Sequence, residues 1–309
     1  MNWKFEFYNL LFPSDEKPRK ENEAYELKYI NRPESIFKFR GVNPELFPKY
    51  LEEINDEKIW IARPDSFNDP YEVYFKGDFQ KPFFEYLLKK IPQIKNIIPA
   101  TILDEIRAGD RPGEKILQYL LAKSGNFSKE MLEVIQNNFR NANFDSNRKF
   151  MNDTIKISCF SERNDSIPMW AHYADQHKGF CIEYEIHSQA KQLIYLLFPV
   201  VYTDKIADVT KELSESVIGI TGWGIKPAII KSQDWSYEKE WRIIQTTPPD
   251  PPYKGVHLNI FPIKGIYLGT DIKDEHKNKL VEIANLKNIP VYKMQMSETQ
   301  FSFEARPLN

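Results

Sequence analysis

The strand-like runs in this chain are short and unevenly spaced: Ile36–Arg40, Lys58–Ala62, Thr154–Phe160, Phe180–Ile186, Phe198–Thr203, Glu240–Gln245, Val256–Phe261, Gly265–Leu268 and Pro290–Met296. A regular strand–helix alternation would give a doubly wound parallel sheet. Irregular alternation with scattered helices predicts an α+β fold with mixed, mostly antiparallel sheets. One helix follows the first run, with Asn43 as N-cap, Pro44 at the first helical position, and Leu46, Phe47, Tyr50, Leu51 and Ile54 at helical spacing. Others are expected from Ser166 and over 273–286. Residues 80–140 are amphipathic but broken at Pro92, Pro99 and Gly109–Gly113, and read as a helical insertion of the lid or cap type. Residues 1–35, charged and carrying three prolines, read as an irregular N-terminal segment, leaving 36–309 as one α+β domain.

Composition narrows the function classes. The formal net charge is −2, so there is no global basic excess of the kind that duplex nucleic-acid binding through phosphates requires. No apolar run reaches membrane-spanning length, and Met1–Phe12 is interrupted by Lys4 and Glu6, unlike a signal peptide. Two cysteines, Cys159 and Cys181, sit in apolar stretches as free thiols, which points to a reducing, cytoplasmic setting. No glycine-rich phosphate loop is present.

Three stretches could carry chemistry. The first, residues 158–184, reads SCFSERNDSIPMWAHYADQHKGFCIEY. His172 and His177 suggest a metal, but five helical residues rotate about 500°, placing the rings about 140° apart. No cysteine or histidine stands nearby at zinc spacing, so no metal site is expected. The second, residues 235–244, reads WSYEKEWRII; as a strand it places Glu238, Glu240 and Arg242 on one face and Tyr237, Lys239 and Trp241 on the other. That face is either a structural ion-pair row or a pair of carboxylates presented to a ligand. The third joins Lys38-Phe39-Arg40 with the Phe67-Asn68-Asp69-Pro70-Tyr71-Glu72 turn. An arginine at a strand end can fork two hydrogen bonds to a phosphate, and Asn68 can add a polar contact.

FNDPYE, CFSxxxxxxxxMWAHYAxxHKGFCIEY and WxYEKEWRII, in this order over residues 36–270, resemble a widespread bacterial family catalogued as a domain of unknown function. An early-strand arginine, a mid-chain serine and a late Glu-x-Glu are also similar to the Arg–Ser–Glu pattern of ADP-ribosyltransferases and to the DarT toxin group. That second resemblance implies an ADP-ribosyltransferase-like fold and an NAD site. In it Arg40 would meet the phosphates, and Ser158 or Ser161 would brace the glutamate and the nicotinamide ribose. Glu240 would act on that ribose, with Glu238 as accessory. The sequence departs from the pattern in having Ser-Cys-Phe-Ser rather than Ser-Thr-Ser, and in a long spacing to Glu240.

The residue types suit this chemistry. Cleaving the ribose–nicotinamide bond passes through an oxocarbenium-like state that a carboxylate stabilises. Phe160, Trp170 and Tyr173, with His172 between them, could stack on nicotinamide. The expectation is an NAD-consuming transferase, of use as a toxin or antiphage effector, whose acceptor is protein, nucleic acid or water. A hydrolase or nuclease using His172, Asp175, His177 and Glu183 is a rival, as is a non-catalytic module binding nucleotide or protein.

Overall fold

A computed structural model describes residues 2–14, 17–122, 144–186, 191–215, 224–248 and 254–308. Its strands are β1 (Ser35–Arg40), β2 (Lys58–Ala62), β3 (Phe75–Lys76), β4 (Ile155–Ser161), β5 (Phe180–Glu185), β6 (Leu197–Pro199), β7 (Val201–Tyr202), β8 (Ala207–Asp208), β9 (Ile230–Lys231), β10 (Glu240–Thr246), β11 (Gly255–Asn259), β12 (Ile263–Leu268), β13 (Val291–Met296) and β14 (Phe303–Pro307). Ten of them form one sheet in the order β11-β2-β4-β1-β5-β12-β13-β14, with β10 branching from β4 and β6 pairing onto β10. Within it only β12 and β13 run parallel. The fold is therefore α+β with mostly antiparallel pairing.

The branch at β4 positions the site. One edge of β4 registers with β10 throughout, from Glu240↔Ser161 to Thr246↔Ile155. Its other edge is shared: β1 pairs at Phe37↔Ser161 and β2 at Ala62↔Ile157. Between those contacts Ser158, Cys159 and Phe160 have no strand partner on that edge, so the sheet forks there.

Alternation along the strands separates two cores. Trp241, Ile243 and Phe160 join Ile36, Ile182 and Ile266 beneath the helices Phe47–Asp56 and Asp274–Lys287. On the opposite face Ile155, Ile157 and Ile244 pack with Phe7, Leu11 and Ala24. Those last three residues come from helices Trp3–Leu11 and Glu21–Asn31, which correct the expectation of an irregular segment over 1–35. Pro13, Pro18 and Pro33 lie between and beyond the helices rather than inside them. Asn2 caps the first by accepting from the Lys4 amide.

Over 80–122 the chain folds as helices Gln80–Lys90, Ile94–Ile97, Ala100–Ala108 and Pro112–Ala122, around a separate core that includes Phe84, Leu87 and Ile116. The rest of the expected insertion, to residue 140, lies outside the described residues. No helix among them is long and apolar enough to cross a membrane.

Candidate functional site

The fork opens into a cavity of about 470 Å³, lined by residues of β1, β2, β4, the Phe67-Asn68 turn, helix Ile167–Tyr173 and the segment 231–240. That volume falls in the usual range of small-molecule sites, roughly 300–1,000 Å³. Residues 158–184 and 235–244 thus meet in one place: Ser158, Phe160, Ser161, His172 and Tyr173 line it together with Glu238 and Glu240.

The two glutamates arrive differently from the expected alternation. Gln233–Glu238 is a 3₁₀ helix, capped by Ser232 accepting from the Asp234 amide, and not a strand. Lys239 then adopts the left-handed conformation (φ 47°), and β10 starts at Glu240. That reversal brings Glu238 beside Glu240 through a turn. Tyr237 shares a 3.0 Å hydrogen bond with the cavity residue His172 through Nδ1 and packs against the cluster that includes Met169 and Trp170, while Trp241 enters the core.

A chain of polar groups runs inward from the exposed Asn68 to buried ion pairs. Asn68 Nδ2 lies 3.5 Å from the Tyr173 hydroxyl, which donates to Glu238 Oε1 at 2.5 Å. Lys231 Nζ donates to Glu238 Oε2 (2.6 Å) and Glu240 Oε2 (3.4 Å). Arg242 donates to both oxygens of Glu240 (2.9 and 3.1 Å) and both of Glu72 (2.6 and 3.0 Å). The Glu240 amide donates to the Tyr202 hydroxyl at 2.8 Å. Three carboxyl groups face two cations, and burial pushes Glu72 upward as it does Glu238, so of the three only Glu240 is held low.

Environment splits the two glutamates. Burial alone would raise the Glu240 carboxyl, but Arg242 and Lys231 overcome it and hold the group at about 2. Burial and then the Glu240 charge push Glu238 upward, against Lys231 and Tyr173. One carboxylate is thus held as an anion, and its neighbour has the higher proton affinity.

Other expected residues fall variously. Ser161 Oγ donates to the Glu238 carbonyl at 2.7 Å, so it braces the glutamate turn through the backbone. Ser158 Oγ accepts from Lys38 Nζ at 2.9 Å. Arg40 reaches the cavity wall, but its guanidinium is paired with Glu53 at 2.6 Å and lies 4.2 Å from the Tyr50 ring centre. Phe160 touches the cavity yet belongs mainly to the core, edge-on to Tyr184. Trp170 does not line it: the ring is 1% exposed, packs edge-on against Phe39 and donates to the Asn164 carbonyl. Its apolar bulk is taken by the core instead of a ligand.

The hydrolase set is not assembled. The helix ends at Tyr173, and Asp175, Gln176 and His177 all have positive φ, turning the chain. Gly179 follows because an added Cβ would lie 2.1 Å from the Arg40 carbonyl. His177 packs on Phe303, while Glu183 bonds Ser35 and Tyr267. No metal-binding group of three or more His, Cys, Asp or Glu occurs among the described residues. Both cysteines are free, and burial pushes their thiols well up.

Lys38 and Glu72 stand in the third stretch but had no role assigned to them, and Lys231 was not anticipated. Glu72 ended the FNDPYE motif, and Lys231 was signalled only as a charge closing the apolar run Ala228–Ile230.

The family model described as protein of unknown function (DUF2971) matches residues 169–243, a span running from the helix with His172 and Tyr173 to just past Arg242. No curated protein and no solved structure matches the chain.

Proposed function

We propose that this chain is an ADP-ribosyltransferase-like enzyme that cleaves NAD at the nicotinamide–ribose bond. The observation that carries this reading is the pair of cavity-lining carboxylates with opposite proton affinities, Glu240 held ionised and Glu238 raised. In the proposed reaction the glycosidic C–N bond breaks and its electron pair leaves with neutral nicotinamide. The charge developing on the ribose is stabilised by the fixed negative charge at Glu240. The acceptor, a hydroxyl of water or of a macromolecule, then bonds to the ribose carbon while Glu238 takes its proton. Tyr173 and His172 would flank the nicotinamide ring.

The reading accounts for features a purely structural ion-pair row does not need, namely a second carboxylate raised by burial and a tyrosine aimed at it. Its use as a toxin or antiphage effector is part of the proposal. The rival built on His172, Asp175, His177 and Glu183 has less support, since His172 lines this cavity while His177 packs on Phe303 and Glu183 bonds Ser35 and Tyr267. Incubating the purified protein with NAD and measuring free nicotinamide tests the proposal; binding of NAD without release would instead make the chain a nucleotide-binding module.

A further inference from the structure

We propose that the fork in the sheet is an anion subsite in which Lys38, rather than Arg40, receives a phosphate of the ligand. The inference deepens the dinucleotide reading above and rests on it. Lys38 stands on β1 opposite the stretch of β4 that has no strand partner. Its ammonium donates to Ser158 Oγ at 2.9 Å and to the Cys159 carbonyl at 2.8 Å, both neutral acceptors. An ammonium has three donors, so one remains for a ligand.

The contrast with its neighbours is the second observation. The other cations lining the cavity, Arg40 and Lys231, are paired with Glu53 and with Glu238 and Glu240. Lys38 has no carboxylate within ion-pair distance among the described residues. The Phe160 ring, 5.0 Å away, offers only a weak partial countercharge. A half-buried cation at a cavity wall with no counterion at ion-pair distance is a place for an anion, and a phosphate there supplies one. The cavity then has a cationic part at Lys38 and an anionic part at Glu238 and Glu240. That polarity suits a ligand carrying phosphate toward one end and a reactive ribose toward the other.

Ionisation follows the same logic. Burial, and then Arg40 on the same strand, bring the Lys38 ammonium down to about 8. Cys159 from β4, Glu53 from helix Phe47–Asp56 and Glu240 from β10 act in the opposite sense. Both glutamates are already committed to other cations. Occupancy by an anion should therefore weaken as Lys38 loses its proton.

The test is titration of ADP-ribose, whose phosphates keep their charge over the range used, with adenosine as the phosphate-free control. Wild-type affinity for ADP-ribose should fall about tenfold between about pH 7 and about pH 9, tracking the protonated fraction of Lys38. Lys38→Met should weaken binding roughly ten- to a hundredfold at neutral pH, the scale of a lost charged hydrogen bond, and flatten the pH dependence. Lys38→Arg should keep the affinity and remove the alkaline fall, since guanidinium does not titrate there. Adenosine should bind all three alike. Should Lys38→Met not fold, the wild-type pH profile and Lys38→Arg still decide. Undiminished ADP-ribose binding by Lys38→Met, with nicotinamide release intact, overturns the subsite and leaves the enzyme reading standing. Wild-type protein that prefers ADP-ribose over adenosine through Lys38 but releases no nicotinamide supports the subsite and defeats the enzyme reading. Equal affinity of wild-type protein for ADP-ribose and adenosine overturns the subsite.

Discussion

Glu238 and Glu240 lie two residues apart, yet one is depressed and the other raised, because Arg242 forks onto Glu240 and Glu72 but makes no bond to Glu238. Substitutions should therefore separate chemistry from stability. Glu238→Gln removes the proton acceptor while keeping shape, so turnover should fall roughly a hundred- to a ten-thousandfold with binding retained, and the melting temperature should drop less than in Glu240→Gln because Lys231 keeps Glu240 at 3.4 Å. Glu240→Gln removes the carboxylate shared by two buried cations, leaving Arg242 only Glu72 and Lys231 only Glu238, and should cost about 3–5 kcal/mol in thermal or denaturant unfolding, whatever it does to rate. The depressed pKa of Glu240 also sets a sign. Its contribution to stability is present above the ordinary carboxylate range near 4.5 and is lost as pH falls toward about 2, so Glu240→Gln should blunt acid unfolding in that window. Tyr173 hydrogen-bonds the ionised form of Glu238 and so lowers its pKa. Tyr173→Phe should move the acid limb of the pH–rate profile to higher pH; an unmoved limb would take Glu238 out of the proton-transfer role.

At the scale of elements, the apolar periodicity found most of the sheet and the helix Asp274–Lys287 within a residue or two. It failed where polar alternation imitates a strand: Ser236-Tyr237-Glu238-Lys239-Glu240 has period two, but the backbone coils and then reverses at Lys239. Strand β14 was missed because its side chains are largely exposed and leave no apolar alternation to read. The reversal at Lys239 carries its own prediction. A left-handed residue tolerates glycine and resists β-branched side chains. Lys239→Gly should retain turnover, whereas Lys239→Ile should lower both stability and rate by displacing Glu238. Equal behaviour of the two variants in paired melting and activity measurements would detach the turn from the site. The fork itself was not legible, since which strands share an edge of β4 is set by long-range pairing and not by local pattern.

Across the whole molecule, the sequence placed the two motif stretches near one another through chemistry alone, and the fold brings them to one cavity. It could not tell Trp170 in the core from Tyr173 at the cavity, because both stand on one short helix and differ only in which face packs. The core over 83–120 is separate from those around the sheet. Phe84→Ala should therefore cost about 3–5 kcal/mol locally, seen as lost amide-exchange protection over 80–122, with the cavity unaffected. The central claim concerns the cavity, and one measurement reaches it most directly: nicotinamide released from NAD by purified wild-type protein and by Glu238→Gln, each shown to bind NAD. Release by the wild type, reduced by at least about a hundredfold in Glu238→Gln at undiminished binding, is the predicted result. Wild-type protein that binds NAD and releases no nicotinamide, with or without protein and nucleic-acid acceptors, would contradict it.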